Sequence, residues 1–163
     1  MSTRVIRVWA VGDDIDTDQL APGQFMKFGI AEIAAHCLES SLPEFASTAT
    51  PGDLLIAGQN FGCGSSREQA VAALVHLGIQ AVVARSFAGL FYRNAFNLGL
   101  LLLQTQAPTR LLGRKVIRID AAAGYISADD DRIDCAPIPD FLLDYVAAGG
   151  LLPYLKASRM NHR

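Results

Sequence analysis

The sequence predicts an α/β protein with a mixed, partly parallel sheet. Between residues 54 and 104, short apolar runs of β-forming residues alternate with helical patterns in the order strand, helix, strand, helix, strand. This order is typical of parallel strands joined by right-handed crossovers. From residue 115 to residue 135 the pattern is that of short antiparallel strands around tight turns. The 163 residues, 51% of them hydrophobic and 18% charged, suffice for one globular domain with a substantial core.

Turn-forming residues separate the elements at the start of the chain. Residues 5–11 are rich in β-forming residues and predict a strand, whereas the acidic residues 12–18 favour turns and helix caps. Residues 29–38 have the apolar spacing of a helix. Residues 40–52 are predicted to form a loop because they contain two prolines.

The alternating region predicts its elements most clearly. We expect strands at residues 54–57, 79–84 and 100–104 and helices at residues 66–77 and 87–98. Each of the two helices is followed by glycine, a residue that commonly ends a helix.

The last part of the chain has shorter elements. Strands are predicted at residues 115–120, 124–128 and 132–135, and a helix at residues 139–148. A glycine pair ends this helix before an apolar tail, residues 151–155, for which no element is predicted.

Charge and apolar patterning argue against several classes of protein. The net charge is −2, which does not suit a nucleic-acid-binding protein. The longest apolar run, residues 98–103, is too short for a membrane span, and the N-terminus shows no apolar signal segment. Cys37, Cys63 and Cys135 lack C-x-x-C spacing, which argues against a disulfide framework or a metal site within this chain. We therefore expect a cytoplasmic protein without nucleic-acid or membrane partners.

One glycine-rich segment, residues 59–69, carries the residues best suited to chemistry. It lies between a predicted strand and a predicted helix, and its glycines allow the backbone to turn and to approach a ligand closely. If the helix begins at Ser65 or Ser66, the free N–H groups of its first turn favour a bound carboxylate or phosphate. Arg67 adds a bidentate donor for the same anion.

The standard glycine-rich motifs do not fit this segment. Arg67 stands where the dinucleotide-binding fingerprint needs glycine, and the P-loop and nucleophile-elbow spacings are absent. Two interpretations of Ser65 stay open. The run from Ser65 to Glu68 fits a capping box, in which the hydroxyl only caps the helix. Alternatively, positive charge from Arg67 and the helix N-terminus stabilises an ionised Ser65 oxygen that acts as a base.

Four blocks of sequence carry a family resemblance. They are DIDTDQL at residues 14–20, NFGCGSSRE at residues 60–68, ARSFAGLFYRNA at residues 84–95 and AGGLLPY at residues 148–154. These blocks resemble the small subunits of isopropylmalate isomerase and the swivel domain of aconitases, and the likeness covers residues 5–156 in family order. The resemblance implies that the chain, residues 1–163, is one three-layer domain of the aconitase swivel type.

The resemblance implies roles for four polar residues. Ser65 corresponds to the family's catalytic base, which removes a proton from the carbon next to a substrate carboxylate. Ser66 and Arg67 correspond to the residues that hold substrate carboxylates. Asp18 corresponds to an aspartate beside the active site that orients charged partners, and a role as a turn or cap residue is the alternative.

The neighbouring residues are interpreted as supports of the site. Gly62, Cys63 and Gly64 form the loop that presents the serines. We interpret Cys63 as a small packing residue, with a reactive thiol as the alternative. Arg93 and Asn94 lie in a helix with apolar neighbours and are interpreted as structural.

The resemblance further implies that this chain is half of an active site. Isomerising a hydroxy diacid by dehydration and rehydration requires the loss of a hydroxyl group, which a Lewis acid assists. In the family the Lewis acid is a [4Fe–4S] cluster held by three cysteines of a separate large subunit. The three cysteines of this chain lack the spacing of cluster ligands. We therefore expect no metal here and a cluster-bearing partner in a heterodimer or heterotetramer.

Residues 22–29 align with the segment that sets substrate choice in this family. Lys27 occupies the discriminating position, where isopropylmalate isomerases have an apolar residue and homoaconitases have Arg. Lys27 could bind a third carboxylate as a point charge, or extend its stem over Phe25 or Met26 and leave its charge in water. We predict 2-isopropylmalate, an intermediate of leucine biosynthesis, as the substrate. The alternatives are a homoaconitase or dimethylmalate dehydratase subunit and, from another class, a stand-alone anion- or phosphate-binding module.

Overall fold

Strands and helices alternate along the chain before three short strands and a final pair of helices. The computed structural model describes residues 6–161. The strands there are β1 Val8–Ala10, β2 Leu54–Ala57, β3 Ala81–Ala84, β4 Leu101–Gln104, β5 Ile117–Asp120, β6 Tyr125–Ala128 and β7 Asp131–Asp134. The α-helices are α1 Thr17–Leu20, α2 Ile30–Ala35, α3 Phe45–Thr48, α4 Glu68–His76, α5 Gly89–Asn97, α6 Asp140–Ala148 and α7 Leu151–Met160. Short 3-10 helices cover Gly23–Phe28 and Pro108–Leu111.

The strands β1 to β4 form a parallel sheet in the order β1-β2-β3-β4. Leu55 lies opposite Trp9 of β1 on one side and Val82 of β3 on the other. Every residue of β2 and β3 is buried, so both faces of the sheet are covered and the sheet is a middle layer. Because burial is continuous, these strands are uninterrupted apolar runs rather than alternating patterns.

The strands β5 to β7 form a separate antiparallel sheet in the order β5-β6-β7. Gly124 and Asp129, with φ angles of 82° and 53°, lie in the turns that join these strands. The α/β class with parallel and antiparallel strands is confirmed. The strands are divided between two sheets instead of sharing one, because β5 to β7 pair with one another through their own hairpins. A backbone bond of 2.8 Å from the N–H of Ala136 to the carbonyl oxygen of Gln104 joins this part of the chain to the end of β4.

The predicted elements of the alternating region are confirmed, and their ends lie within three residues of the predicted ones. The strand predicted at residues 5–11 is present as β1, and residue 5 lies outside the described residues. Short helices occupy two stretches that were expected to be turn or loop, namely α1 and α3. None of the helices within residues 6–161 reaches the roughly 20 apolar residues needed to cross a bilayer.

The C-terminal tail is a helix, and the expectation that residues 151–155 form no element was wrong. Gly149 ends α6 in the left-handed conformation, and Gly150, with a φ angle of 126°, begins α7. Pro153 lies in the first turn of α7, where the missing N–H has no intrahelical acceptor. The glycine pair therefore redirects the chain into a second helix instead of ending the fold.

A buried carboxylate fixes the strand that leads into the glycine-rich segment. Asp53, at the start of β2, is 1% exposed and accepts hydrogen bonds from the Trp9 indole at 3.0 Å, the Thr50 N–H at 2.9 Å and the Arg7 N–H at 3.3 Å. Burial acts to raise the pKa of Asp53, but the bonds from Thr50, Trp9 and Arg7 outweigh it, so the pKa is lowered. The ionised carboxylate holds β1 against β2.

Candidate active site

The glycine-rich segment follows the carboxyl end of β2, where ligands commonly bind in parallel sheets. The N–H of Gly62 donates to the carbonyl oxygen of Ile15 at 2.7 Å, and the N–H of Thr17 donates to that of Cys63 at 2.8 Å. On its other side, Phe61 forms a bridge with Phe87 just before α5. The loop is therefore held between the start of α1 and the start of α5.

Two positions in this loop require glycine. Gly62 has a φ angle of +83°, and a Cβ atom there would lie 2.2 Å from Cγ of Phe91. Gly64 has a φ angle of +92°, but a Cβ there would make only ordinary contacts, the nearest at 3.5 Å from the Thr17 hydroxyl. Gly62 thus allows close packing against α5, while Gly64 serves the backbone conformation alone.

Ser65 is exposed and is not a helix cap. The helix α4 begins at Glu68 with Arg67 in the N-cap position, so the expected start at Ser65 or Ser66 and the capping box were wrong. The reason is a tertiary contact, because the buried Thr17 hydroxyl donates to the Ser65 carbonyl oxygen at 2.8 Å and holds this residue outside the helix. Within residues 6–161 the Ser65 hydroxyl has no hydrogen-bond partner, which leaves it available to a ligand.

Arg67 is fixed through one of its nitrogens. Nη1 donates to Asp18 Oδ1 at 2.8 Å and to the carbonyl oxygen of Ala21 at 3.0 Å. Nη2 and Nε have no partner among the described residues, and the side chain is 25% exposed. The structure therefore leaves one edge of the guanidinium free for a carboxylate, which binds such an edge through two hydrogen bonds.

Asp18 orients Arg67 and also closes a turn. Its Oδ1 accepts a hydrogen bond of 3.0 Å from the N–H of Gly23, at the start of a 3-10 helix. The bond from Arg67, and then the bond from Gly23, lower the pKa of Asp18, so this carboxylate is ionised at neutral pH. Asp18 can therefore orient Arg67 and close a turn from the same position, which were the two roles considered for it. Contact of Asp18 with substrate stays a prediction.

Two further polar residues lie at the loop: Asn94, which was interpreted from the sequence as structural, and Thr17, which was not singled out. Asn94 of α5 is half-buried, and its Nδ2 lies 3.5 Å from the Ser66 hydroxyl oxygen, a long contact. Thr17 fixes the Ser65 carbonyl. Arg93, by contrast, is exposed. The only sequence signal for Asn94 and Thr17 was their position inside the resembling blocks.

The other aspartates at the start of α1 have local roles. Asp13 accepts from the N–H of Gln59 at 2.8 Å, Asp14 from the side-chain amide of Asn60 at 3.0 Å, and Asp16 caps α1. The predicted helix cap is confirmed at Asp16, whereas residues 17 and 18, expected to lie in a turn, form the start of α1. These bonds tie the segment to the glycine-rich loop.

The cysteines do not form a metal site. Burial raises the pKa of Cys37 strongly and that of Cys135 to about 11. Burial, and then the charges of Asp16 and Asp14, raise the pKa of Cys63, which disfavours a reactive thiolate. Within residues 6–161 no three His, Cys, Asp or Glu side chains come together to hold a metal ion. The side chains of this region therefore do not fit an iron–sulfur cluster.

Lys27 lies in the 3-10 helix Gly23–Phe28 and is exposed. Its ammonium lies 5.1 Å from the centroid of the Phe28 ring. Of the two neighbours considered for the Lys27 stem, Phe25 stacks its ring on His36. Packing of the stem over Phe25 or Met26 stays a prediction. A role for Lys27 toward a substrate carboxylate stays a prediction.

Comparison with known proteins places this site in a family. The family model described as the aconitase C-terminal domain matches residues 39–108. The 3-isopropylmalate dehydratase small subunit of Nautilia profundicola is 43% identical over 153 residues, which are 92% of each chain. The chain belongs to the 3-isopropylmalate dehydratase small-subunit family. The hydro-lyase family foreseen from the sequence is thus confirmed, and the name of the family implies a large partner subunit.

Two other members of this small-subunit family extend the comparison. The methanogen homoaconitase small subunit of Methanothermobacter thermautotrophicus is 42% identical over 154 residues, 92% of this chain and 89% of that protein. The crystal structure of 3-isopropylmalate dehydratase from Methanocaldococcus jannaschii matches with a TM-score of 0.85 at 38% identity, and covers 96% of this chain and 95% of that one. Family membership therefore fixes the fold and the class of enzyme, while named relatives act on more than one hydroxy acid.

Proposed function

We propose that this chain is the small subunit of a two-chain hydro-lyase that converts 2-isopropylmalate to 3-isopropylmalate by dehydration and rehydration. The observation that carries the proposal is the loop after β2, where an exposed Ser65 precedes an Arg67 with one free guanidinium edge. A basic oxygen and a carboxylate-binding group are the two functions that such a reaction needs from this half of the site. Both lie on a loop that tertiary contacts hold in place.

Ser65 is the base in this proposal. Its oxygen takes the proton from the carbon next to a carboxylate of the substrate and returns it at the other carbon during rehydration. A serine hydroxyl ionises with difficulty, so nearby positive charge must stabilise the ionised oxygen. Arg67, two residues later, and the N-terminus of α4, three residues later, provide that charge.

Arg67 and Ser66 hold the substrate carboxylates in this proposal. The free edge of Arg67 takes one carboxylate, while Asp18 and the Ala21 carbonyl fix the other side of the guanidinium. The Ser66 hydroxyl is positioned beside Asn94 and donates to a second carboxylate oxygen. Positioning of this kind reduces the entropy cost of bringing the reacting carbon to the base.

The large subunit completes the site. Expulsion of the substrate hydroxyl needs a Lewis acid, and we propose that a [4Fe–4S] cluster of the large subunit supplies it by polarising the C–O bond. The cysteines of this chain are scattered, and no three His, Cys, Asp or Glu side chains within residues 6–161 come together, so these residues do not fit a cluster. The isolated chain is therefore expected to be inactive and to gain activity only with its partner, as a heterodimer or heterotetramer.

Lys27 favours a second candidate substrate, a tricarboxylate, which should be compared directly with 2-isopropylmalate. A homoaconitase small subunit is among the relatives at 42% identity, and a cation at this position suits a third carboxylate. Lys27 has no ion-pair partner within residues 6–161, so its charge is open to a ligand. The alternative activity is the isomerisation of a tricarboxylate such as homocitrate.

The test is Ser65→Ala in the reconstituted complex. Loss of the base is expected to lower kcat for 2-isopropylmalate by about 10²- to 10⁴-fold. Because Ser65 caps no helix, the free energy of unfolding is expected to change by less than about 0.5 kcal/mol in urea titration. Ser47→Ala, a change at an exposed serine of α3, is the matched control. Near-normal turnover in Ser65→Ala would rule out the base role.

A further inference from the structure

His36, which follows the last residue of α2, is bonded on both sides of its ring. Its Nδ1 lies 2.6 Å from Oε2 of Glu39, and its Nε2 lies 3.2 Å from Oε1 of Glu32. Ionised carboxylates only accept hydrogen bonds, whereas a neutral imidazole carries a single N–H. Both contacts are therefore hydrogen bonds only when the ring carries two protons. The geometry is that of a charged imidazolium held between two glutamates.

The same ring supports a segment beside the candidate active site. Phe25 stacks face to face on His36, with ring centroids 3.6 Å apart and an interplanar angle of 5°. Phe25 belongs to the 3-10 helix Gly23–Phe28, in which no residue is buried. Because its side chains are at most partly buried, this helix depends on the packing of Phe25 and Met26 against the core and on its remaining surface contacts. The stack on His36 is one of these contacts.

The other end of that helix is bonded to the carboxylate-binding residues. The N–H of Gly23 donates to Asp18 Oδ1 at 3.0 Å, and the same oxygen accepts from Arg67 at 2.8 Å. A Cβ placed on Gly23 would lie 3.7 Å from Nη2 of Arg67, the nitrogen that has no partner among the described residues. The 3-10 helix therefore borders the free edge of the guanidinium. Continuous contacts lead from His36 to this edge.

We propose that His36 is a positioning residue whose doubly protonated ring holds Phe25 and the 3-10 helix in place beside Asp18 and Arg67. Substrate binding weakens when His36 releases a proton to solvent. The inference rests on the proposed function, because it takes the Arg67 edge as the place where the substrate carboxylate binds.

The loss of one proton removes two interactions at once. The neutral ring can donate to only one of the two glutamates, so the other carboxylate is left facing a nitrogen lone pair. The stack on Phe25 also loses the attraction between a cation and an aromatic face. An exposed contact of this kind corresponds to about a 2- to 5-fold change in an equilibrium constant.

Glu39 and Glu32 favour the protonated form of His36. The hydrogen bond to Glu39 is the largest influence and raises the pKa of His36; burial opposes it, and Glu32 adds to it. The remaining charged groups lie on packed elements. They are Lys27 of the 3-10 helix, whose ammonium lies over Phe28, Glu68 and His76 of α4, and Glu44 before α3. Because the folded-state pKa is raised above 6.5, the stabilisation is complete below pH 6.5 and is lost as the pH rises through the raised value.

The first test is kinetic and uses the reconstituted complex with 2-isopropylmalate. In the wild-type protein KM is expected to rise about 2- to 5-fold as the pH passes the His36 midpoint, with kcat changed less than twofold. His36→Gln, which has neither ring nor charge, is expected to show the high KM at every pH. His36→Phe keeps a stack without charge and is expected to give an intermediate, pH-independent KM. His76→Gln, at an exposed histidine of α4, is the matched control and should follow the wild-type profile.

The second test changes the midpoint without changing the ring. Glu39→Gln removes the strongest influence on His36, so the KM transition is expected to move to lower pH. A purely structural histidine would not couple the KM profile to this glutamate. An unmoved transition in Glu39→Gln, or a wild-type profile in His36→Gln, overturns the proposal.

A measurement independent of catalysis separates this proposal from the proposed function. In NMR titrations of the full chain, the amide signals of residues 23–28 are expected to shift with the midpoint of the His36 ring, and to lose that transition in His36→Gln. If the wild-type complex fails to act on any hydroxy acid while this coupling is present, the proposed function and the effect of His36 on substrate binding fail, whereas the coupling of His36 to the 3-10 helix stands. If the amide signals do not follow His36, the positioning role fails whatever the activity.

Discussion

At the scale of single residues, the candidate site depends on how Arg67 divides its donors. Among residues 6–161 the only bonded nitrogen of Arg67 is Nη1, which contacts Asp18 and the Ala21 carbonyl. The opposite edge can therefore accept a carboxylate without breaking a protein contact. Lysine could not do both, because its ammonium is a compact point charge without a planar fork.

The role of Asp18 can be separated into two parts by Asp18→Asn. Asparagine keeps an oxygen that accepts the Gly23 N–H, but it removes the negative charge that faces Arg67. Because Asp18 is largely exposed, we expect KM for 2-isopropylmalate to rise by only about 2- to 5-fold, with kcat nearly unchanged. Asp134→Asn, which removes the charge of an exposed pair with Arg132, is the control for steady-state kinetics.

The sign of the pH dependence follows from the lowered pKa of Asp18. The ion pair is complete above the ordinary pKa of 3.8 and is lost only as the pH falls through the lowered value. Between pH 6 and pH 8 the effect of Asp18→Asn should therefore be constant. If KM of Asp18→Asn equals that of the wild-type protein throughout this range, the charge of Asp18 does not contribute to substrate binding. The role of Asp18 would then be limited to closing the turn at Gly23.

The grouping of site residues was predictable from the sequence where residues with suitable chemistry are neighbours in the chain. Ser65, Ser66 and Arg67 are consecutive, so their common loop followed from the sequence. The pairing of Arg67 with Asp18 did not, because 49 positions separate the two residues and only the packing of α1 beside the loop brings them together. The contact between Asn94 and Ser66, 28 positions apart, was missed for the same reason.

At the scale of elements, the glycine-rich loop and α5 are fitted against each other. Phe91 of α5 lies over Gly62 and packs edge-to-face on Phe61, with ring centroids 5.2 Å apart. This contact leaves no room for a side chain at residue 62. The position of the loop therefore depends on the absence of a Cβ atom there.

Gly62→Ala is expected to destabilise the fold more than Gly64→Ala. Both changes place alanine at a positive φ angle, which costs on the order of 1–3 kcal/mol. Only Gly62→Ala adds a Cβ that overlaps the Phe91 ring, so its free energy of unfolding should fall further. Urea titration of the three variants Gly62→Ala, Gly64→Ala and Gly12→Ala measures the difference.

Gly12→Ala is the control for this series. A Cβ at Gly12 meets nothing within 4 Å, and its φ angle is not in the left-handed region. We expect its stability to change by less than about 0.5 kcal/mol. Equal losses in Gly62→Ala and Gly64→Ala would mean that α5 moves away and that the contact does not fix the loop.

Elements were predictable where local pattern and packing agree. Buried strands such as β2 are continuous apolar runs, and their ends were placed closely. The helix α4 starts later than its capping pattern indicates, because the bond from Thr17 to the Ser65 carbonyl overrides the local preference. The helix α7 was missed because a glycine pair reads equally well as an end or as a hinge between two helices.

At the scale of the whole molecule, the chain holds a guanidinium with one unbonded edge and an exposed serine, without a cluster of metal ligands in residues 6–161. A dehydratase needs all of these functions in one place. The small-subunit family to which the chain belongs implies a large partner. Composition and spacing alone could only show that the cysteines do not form a ligand set, so the partner entered through the resemblance.

The division of strands between two sheets could not be predicted from the sequence pattern. Short strands with tight turns indicate antiparallel pairing, but nothing in their pattern says whether they extend the parallel sheet. In the structure β5 to β7 pair only with one another. The single domain expected over residues 1–163 stays a prediction.

Substrate choice belongs to the assembled enzyme, and Lys27→Met tests this chain's share in it. The Lys27 ammonium is exposed and lies over the Phe28 ring, so its removal should leave kcat/KM for 2-isopropylmalate within about threefold, since an exposed contact of this kind is weak. A hydrogen bond to a charged group is worth about 1.5–3 kcal/mol, so turnover of homocitrate should fall about tenfold or more if Lys27 binds the third carboxylate. Lys115→Met, at an exposed lysine before β5, is the control in the reconstituted complex. If the wild-type complex turns over homocitrate much faster than 2-isopropylmalate and Lys27→Met abolishes the difference, this chain is a homoaconitase subunit and the proposed substrate is wrong.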